Sequence, residues 1–317
     1  MFLGRTVGLS ITLGMWAALT LSGQAKIEPR PKRPSPDQPK PQATLRVETT
    51  LVLVPVTVND PLNRPVTGLE KENFRIFDDR QEQKITHFAM DDEPVAVGMV
   101  FDTSGSMGAK LGRSRMAAAA FFRTTEPDDE FFLVEFDNAP RLVVPLTSRP
   151  QDVQSELAFT RSKGSTALLD AIVLALAEIK KSTRTKKALL VVSDGGDNHS
   201  RYTAGEVRNL VRESDSLIYA IGVFGGGSTM EEMNGPGMLA NLAEQTGGRL
   251  FPARWADLPD IAGKIGVELR NRYVLGYSPP AQPRDGRYHQ VRVQVVPPRG
   301  LPPLRAHWRL GYYAPIE

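Results

Sequence analysis

The sequence contains no cysteine, and this absence removes several classes of protein. It excludes a disulfide framework, a thiolate metal site and a lipid-modified cysteine. Only four histidines are present, and no two of them have the spacing of metal ligands on one element: His87, His199, His289 and His307. The fold must therefore be held by its hydrophobic core, or by a metal ion bound through other side chains.

Enzyme signatures are also missing. The chain has no Gly-x-Ser-x-Gly nucleophile elbow and no phosphate-binding loop ending in Gly-Lys-Ser or Gly-Lys-Thr. No histidine is placed to form a catalytic triad. The sequence therefore favours a protein that is not an enzyme.

The net positive charge is concentrated at the N-terminus. The net charge is +3, and residues 1–42 contribute six basic and two acidic side chains. The rest of the chain is close to neutral, so it offers no basic surface for nucleic acid. With 317 residues and 41% hydrophobic residues, it can bury a substantial core.

Residues 1–25 have the form of a secretory signal peptide. Arg5 gives a positive start, an uncharged apolar run follows, and Gly23-Gln24-Ala25 supplies the small residues of a cleavage site. We predict cleavage after Ala25 and export to the periplasm or the cell exterior. An uncleaved anchor is the alternative, although the run is short for a bilayer. No later stretch is predicted to span a membrane.

Residues 26–43 form a proline-rich basic segment, which predicts an extended linker. Residues 44–93 and 271–317 are rich in β-forming residues. Within the first, Phe74 to Phe77 and Lys84 to Phe88 alternate apolar with polar, with a turn predicted at Asp78 to Gln81. Neither segment is large enough for its own core, so we predict that the two pack together as a small β-sandwich.

Residues 94–270 alternate apolar strands with amphipathic helices. This order predicts a doubly wound α/β domain, Rossmann-like, with a mostly parallel sheet covered on both faces. The principal predicted strands are Val95 to Phe101, Phe131 to Phe136, Ala188 to Val192 and Leu217 to Ile221. The principal predicted helices are Lys110 to Arg123, Thr166 to Lys181 and Met238 to Gln245.

Two of the apolar strands end in acidic loops. Asp102, Ser104 and Ser106 follow the first, Asp194 follows the second, and Thr166 opens a helix between them. In such a sheet, ligands bind beyond the carboxyl ends of the strands, so these side chains are expected to converge. All offer oxygen, which Mg²⁺ prefers, with Mn²⁺ and Ca²⁺ as alternatives. Without a metal, Asp102 and Asp194 should repel each other and raise a carboxyl pKa.

At these residues the chain resembles the von Willebrand factor type A domain family. That family has a metal-ion-dependent adhesion site with the pattern Asp-x-Ser-x-Ser, then a separate Thr and a separate Asp. All five positions match: Asp102, Ser104, Ser106, Thr166 and Asp194. The resemblance implies that these residues hold a metal whose shell is completed by an Asp or Glu of a partner protein.

The flanking β-rich segments resemble a bacterial group of exported von Willebrand factor A-related proteins, first seen in acidobacteria. Gly68-Leu69, Phe74 and the terminal Gly311-Tyr312-Tyr313 carry this resemblance. It implies an exported adhesion or assembly module.

Other interpretations of the same residues stay open. The aspartates and hydroxyls could simply cap helices and bind no metal. Asp197 and Asn198 could be auxiliary ligands or simple turn residues. A Mg²⁺-dependent phosphoester hydrolase is a second functional hypothesis, although it needs a carboxylate where Ser104 stands. A structural envelope protein with a stabilising metal is the third.

Overall fold

The computed structural model describes residues 51–224, 230–253, 257–279 and 285–316, all of which belong to one compact unit that spans Glu48–Glu317. The predicted signal peptide and linker lie outside the described residues. Among the helices of these ranges, none combines the length and the apolar character needed to cross a membrane.

A six-stranded sheet forms the centre of the molecule. Its strands, in chain order, are β5 (Val95–Asp102), β6 (Glu130–Phe136), β7 (Pro140–Thr147), β8 (Lys186–Ser193), β9 (Leu217–Gly222) and β10 (Leu250–Pro252). The spatial order is β10-β9-β8-β5-β6-β7, and only the edge strand β7 runs antiparallel to its neighbour. The predicted mostly parallel, doubly wound sheet is confirmed.

Six helices accompany this sheet. They are α1 (Leu111–Phe122), α2 (Pro150–Phe159), α3 (Leu168–Ile179), α4 (Ala204–Glu213), α5 (Met230–Thr246) and α6 (Leu258–Arg270). The apolar side chains of α1, α2 and α6 share one core cluster with the sheet, and those of α3, α4 and α5 share another. Because both faces are covered, all eight residues of β5 are buried.

The strand order changes direction between β5 and β8. From β5 the chain builds outward through β6 and β7, then returns to β8 and builds the other side. In sheets of this kind, ligands bind in the crevice beside the loops that leave the carboxyl ends of the strands at this point, which here are the loops after β5 and β8. The residues after these two strands are those predicted as a metal site.

The remaining strands form two small antiparallel sheets. They are β1 (Val52–Asn59), β2 (Phe74–Asp78), β3 (Gln81–Gln83), β4 (His87–Asp91), β11 (Arg272–Tyr277), β12 (Tyr288–Val295), β13 (Arg305–Trp308) and β14 (Gly311–Tyr313). One sheet has the order β13-β1-β11-β4 and the other β14-β12-β2-β3. Their apolar faces share one core, so the predicted sandwich of N- and C-terminal segments is present.

Three local predictions differ from the structure. The turn predicted at Asp78 to Gln81 is shorter, because Asp79 and Arg80 adopt positive φ angles of 45° and 76° and close a two-residue hairpin between β2 and β3. The chain then buries Ile85 and crosses to the other sheet, where β4 pairs with β11. Helix α5 begins at Met230 rather than Met238, and α2 was not anticipated.

His307 gives the sandwich a pH dependence. It lies on β13 opposite Thr57 of β1, and within the described part of the chain its Nε2 has no hydrogen-bond partner. Burial lowers the pKa of the imidazole to about 4, and the positive charges of Arg249 and Arg305 add to this effect. In the unfolded chain the pKa returns to about 6.5. Between these values the unfolded state binds the extra proton, so stability falls as the pH falls.

We therefore expect His307→Gln to lose less stability than the parent between about pH 7 and pH 4, by on the order of 3 kcal/mol. Urea unfolding of both proteins across this range measures the difference, in which contributions from the other titrating groups cancel. A difference that stays constant with pH would contradict the assignment.

Candidate metal centre at the carboxyl edge of the central sheet

Two neighbouring strands deliver carboxylates to this edge. β5 ends at Asp102, and Asp194 directly follows the end of the adjacent parallel strand β8. Asp102 is 0% exposed and Asp194 is 2% exposed. Burial of two acidic side chains in one crevice is costly unless each finds hydrogen bonds or a compensating charge.

The side chains of the loop after β5 make hydrogen bonds within the loop itself. The Ser104 backbone N–H donates to Asp102 Oδ1 at 2.9 Å, and the hydroxyls of Ser104 and Ser106 are 3.1 Å apart. A short 3₁₀ turn over Gly105–Met107 follows, anchored by the buried side chain of Met107. Ser104 is buried whereas Ser106 is exposed, so the serine pair runs from the interior to the surface.

The loop before α3 is bound to the loop after β5. The Gly105 N–H donates to the Gly164 carbonyl at 3.0 Å, and the Lys163 N–H donates to the Thr103 carbonyl at 2.8 Å. Gly164 has a φ of 75°, and a Cβ there would come within 2.7 Å of Asn138 Oδ1. Glycine is therefore required where this loop approaches the crevice.

Thr166 is held by its backbone. Its N–H donates to Asn198 Oδ1 at 2.9 Å, and its carbonyl accepts from the N–H groups of Asn198 and His199 at 3.0 Å each. None of these contacts uses the hydroxyl. Asp197 accepts from the Ser200 hydroxyl at 2.6 Å and from the Leu169 N–H near the start of α3 at 3.3 Å. Asp197 and Asn198 therefore act here as loop tethers.

Ser193 joins the third loop to the first. Its hydroxyl donates to Asp102 Oδ2 at 2.6 Å and accepts from the Gly195 N–H at 2.9 Å. Gly195 has a φ of 82° and lies against Gly235 of α5 so closely that a Cβ on it would come within 2.8 Å of that backbone. The early start of α5 thus fixes the loop that carries Asp194.

Lys110 supplies the charge partner of Asp194. Its Nζ lies 2.8 Å from Asp194 Oδ2, and the two side chains are 9% and 2% exposed. The sequence interpretation missed this residue. Its only signal in the sequence is a lysine eight positions after Asp102, at the predicted start of a helix.

Among the residues that the structure describes, Asp102 has no ion-pair partner. Burial raises the pKa of its carboxyl to about 6. Hydrogen bonds from Ser104 and Ser193 lower it, and the charge of Asp194 raises it further. The predicted repulsion between the two aspartates is therefore present, but it is smaller than the cost of burial.

Hydrogen bonds join the loop of Asp102, Ser104 and Ser106 to the loop of Asp194 through Ser193, and they join it to the loop that precedes Thr166. Asp102, Ser104, Ser106, Thr166 and Asp194 offer carboxylate and hydroxyl oxygens, the donor set of a hard divalent cation. Within the described ranges, the buried Asp102 carboxylate forms no ion pair, and this fits a bound metal, because the metal would stabilise its ionised form. The fold is that of a Rossmann-like domain, and the loops of these five residues lie at the carboxyl edge of its sheet.

Residues 97–196 match the family model of the von Willebrand factor type A domain. This range contains all five candidate residues. Over this range, the chain is similar to the von Willebrand factor type A domain.

Two curated proteins match part of the chain. An uncharacterized protein of Borreliella burgdorferi is 27% identical over 181 residues, which cover 48% of this chain and 52% of that protein. Cuticlin-6 of Caenorhabditis elegans is 25% identical over 151 residues, which cover 45% of this chain and 26% of Cuticlin-6. The matches thus span about half of the first protein and a quarter of the second.

Two solved structures also show a limited similarity to this chain. A von Willebrand factor type A protein from Catenulispora acidiphila has a TM-score of 0.49 at 12% identity, covering 86% of this chain and 75% of that one. The von Willebrand domain of the type V pili tip protein Mfa5 from Porphyromonas gingivalis has a TM-score of 0.46 at 15% identity, covering 58% and 98%. At these scores the likeness carries no functional argument.

The Lys110–Asp194 pair gives a stability prediction. Lys110→Met keeps the length of the side chain but leaves Asp194 buried without its counter-charge, so we expect a loss of about 3–5 kcal/mol in metal-free buffer. Chemical denaturation in the presence of a chelator measures this loss.

A matched control is Lys264→Met, since the Lys264–Asp260 pair is exposed at 37% and 69%. Its loss is expected to stay below about 1 kcal/mol. The double variant Lys110→Met/Asp194→Asn should recover most of the loss, because position 194 no longer carries a buried, unpaired charge. Equal losses in Lys110→Met and Lys264→Met would contradict a structural ion pair.

Proposed function

We propose that this protein is an exported, metal-dependent protein-binding module. Asp102, Ser104, Ser106, Thr166 and Asp194 would hold one Mg²⁺, and an Asp or Glu of a partner protein would complete its shell. The observation that carries the proposal is the graded exposure of the crevice. Asp102 is fully buried and without a cation, whereas Ser106 at the rim is exposed. A ligand from outside can therefore approach from the side of Ser106.

The ligand set explains why a partner carboxylate would bind. Serine and threonine hydroxyls are neutral, so they leave most of the charge of Mg²⁺ uncompensated. Asp194 shares its charge with Lys110, at 2.8 Å from Oδ2. The bound metal would therefore remain electrophilic and favour an added anionic oxygen. Mn²⁺ or Ca²⁺ could serve in the same place, because both accept oxygen ligands.

The proposed location of the protein is inferred from its N-terminal segment. Residues 1–25 have the composition of a secretory signal, and the basic, proline-rich residues 26–43 would tether the folded unit at a distance from its attachment. Adhesion or assembly in the envelope or outside the cell is the role that fits these features.

We also propose that the crevice performs no phosphoester hydrolysis. A hydrolase with Asp102 as nucleophile needs a second carboxylate as general acid, and the corresponding position holds Ser104. The other nearby carboxylate, Asp194, is bound to Lys110. Turnover of p-nitrophenyl phosphate that requires Mg²⁺ and is lost in Asp102→Asn would overturn this part of the proposal.

Metal binding is the first test. Asp102→Asn keeps an oxygen to accept from Ser104 and an amide that can donate to Ser193, so its fold should persist. We expect Mg²⁺ to raise the melting temperature of the parent protein. In Asp102→Asn the affinity should fall by about 100-fold or more, because an anionic ligand is lost. Isothermal titration calorimetry and thermal melting measure both effects.

Asp260→Asn is the matched control, since Asp260 is an exposed carboxylate on α6. It should bind Mg²⁺ as the parent does. A parent protein that shows no saturable Mg²⁺ binding would overturn the proposal, as would an Asp102→Asn variant that keeps its affinity.

Partner chemistry is the second test. Random peptides displayed on phage would be selected on the immobilised protein in Mg²⁺ and eluted with a chelator. We expect the eluted peptides to share an Asp or Glu, and to lose binding when it is changed to Asn or Gln. Selection on Asp102→Asn should return no such enrichment. Peptides without an acidic residue, or peptides that resist the chelator, would contradict carboxylate capture.

A further inference from the structure

A second cluster of ligating side chains lies in the β-sandwich, far in sequence from Asp102. Asp78 ends β2, Asp79 begins the hairpin turn after it, and His289 lies on the neighbouring strand β12. One ligand atom from each of these three residues falls within 4.8 Å of the others. The sheet creates this cluster, because Asp78 pairs in register with Val291, two residues from His289.

Only one of the two carboxylate oxygens of Asp78 accepts hydrogen bonds from the described residues. The hydroxyls of Tyr277 and Tyr312 each donate to its Oδ2 at 3.0 Å. Burial raises the pKa of both tyrosines, and the negative charge of Asp78 raises it further, so both remain protonated donors. The other oxygen, Oδ1, is buried and has no hydrogen-bond partner among the described residues, although the Asp78 side chain is only 7% exposed. An unsatisfied carboxylate oxygen at such a depth requires an explanation.

Asp79 and His289 are arranged in the same way. Asp79 Oδ1 accepts from the Gln290 N–H at 2.9 Å, which leaves Oδ2 facing His289. His289 Nε2 lies 3.3 Å from Asp285 Oδ1, which leaves Nδ1 facing the two aspartates. The imidazole also stacks on the ring of Tyr312, with centroids 5.5 Å apart. Each residue therefore has one atom fixed by a neighbour and one atom directed to a common point.

The spacing suits a small metal shell. His289 Nδ1 lies 2.8 Å from Asp79 Oδ2 and 3.8 Å from Asp78 Oδ1. In a tetrahedral site with metal–ligand bonds of about 2.0–2.1 Å, ligand atoms are about 3.3 Å apart. The two distances bracket this value. A carboxylate that orients a histidine through its other nitrogen, as Asp285 does, is also the usual outer partner of a metal ligand.

We propose that Asp78, Asp79 and His289 form a binding site for a single divalent transition metal ion of the Zn²⁺ class. The imidazole nitrogen favours Zn²⁺ over Mg²⁺ or Ca²⁺, and two carboxylates balance its charge. A water molecule completes the shell on the side of Asp79, which is 54% exposed. The bound ion fastens the β2–β3 turn to β12.

The competing explanation is a protonated His289 clamped by the aspartates with no metal. The test uses the full chain, untagged and freed of metal with a chelator, in the Asp102→Asn background. This background removes the first site, so the result is independent of the proposed Mg²⁺ function. We expect calorimetry to show one Zn²⁺ bound per chain. Co²⁺ in its place should give the intense visible bands of a tetrahedral complex.

Substitutions identify the residues that bind the ion. His289→Gln and Asp78→Asn are each expected to weaken Zn²⁺ binding about 100-fold or more, and Asp285→Asn about tenfold. His87→Gln, which removes an exposed histidine of the same sandwich, should bind as the background protein does. Circular dichroism verifies that each variant is folded. Should Asp78→Asn fail to fold, His289→Gln and the Co²⁺ spectrum decide the question.

Two outcomes overturn the proposal. One is a folded background protein with no saturable Zn²⁺ binding, which would leave the ion pair as the explanation. The other is His289→Gln binding Zn²⁺ as tightly as the background, which would place the ion elsewhere.

Discussion

The cost of burying carboxylates at the switch point shapes the whole central domain. Asp102 and Asp194 are forced together because β5 and β8 are adjacent parallel strands that end at the same edge. Lys110 compensates one of these charges, and hydroxyl and backbone donors stabilise the other only in part. The loops around them are fixed by glycines at positive φ and by backbone contacts. Asp102 therefore stays buried, with hydrogen bonds but, among the described residues, without an ion-pair partner.

The sandwich depends on pairing between the two ends of the described chain. β1 pairs with β11 and β13, and β2 pairs with β12, so each of the two sheets contains strands from both terminal segments. Buried Glu268 at the end of α6 connects this sandwich to the central domain. It accepts from Tyr219 of β9 at 3.1 Å and is paired with Arg249, which also donates to Asn63 at 2.9 Å. The domain that contains the candidate site is therefore hydrogen-bonded to the sandwich.

Periodicity and local pattern made the central fold predictable. Continuous apolar runs such as that of β5 predict buried parallel strands, and the residues that follow them lie at the ligand-binding edge. The predictions that were wrong concern features that depend on contacts between residues far apart in the sequence. The hairpin at Asp79 and Arg80 is set by backbone pairing with β12, and the start of α5 is coupled to Gly195. Lys110 was missed because nothing local distinguishes a buried lysine from a surface one.

The two candidate sites differ in how sequence can reveal them. At the switch point, three of the five residues lie within one loop, so spacing alone carries a signal. In the sandwich, Asp79 and Gln290 are 211 positions apart, and only strand register brings His289 to the aspartates. The absence of closely spaced histidines therefore excluded only metal sites built on a single element. A search for metal ligands in β-sandwiches should start from strand pairing, because register joins ligands that the chain separates.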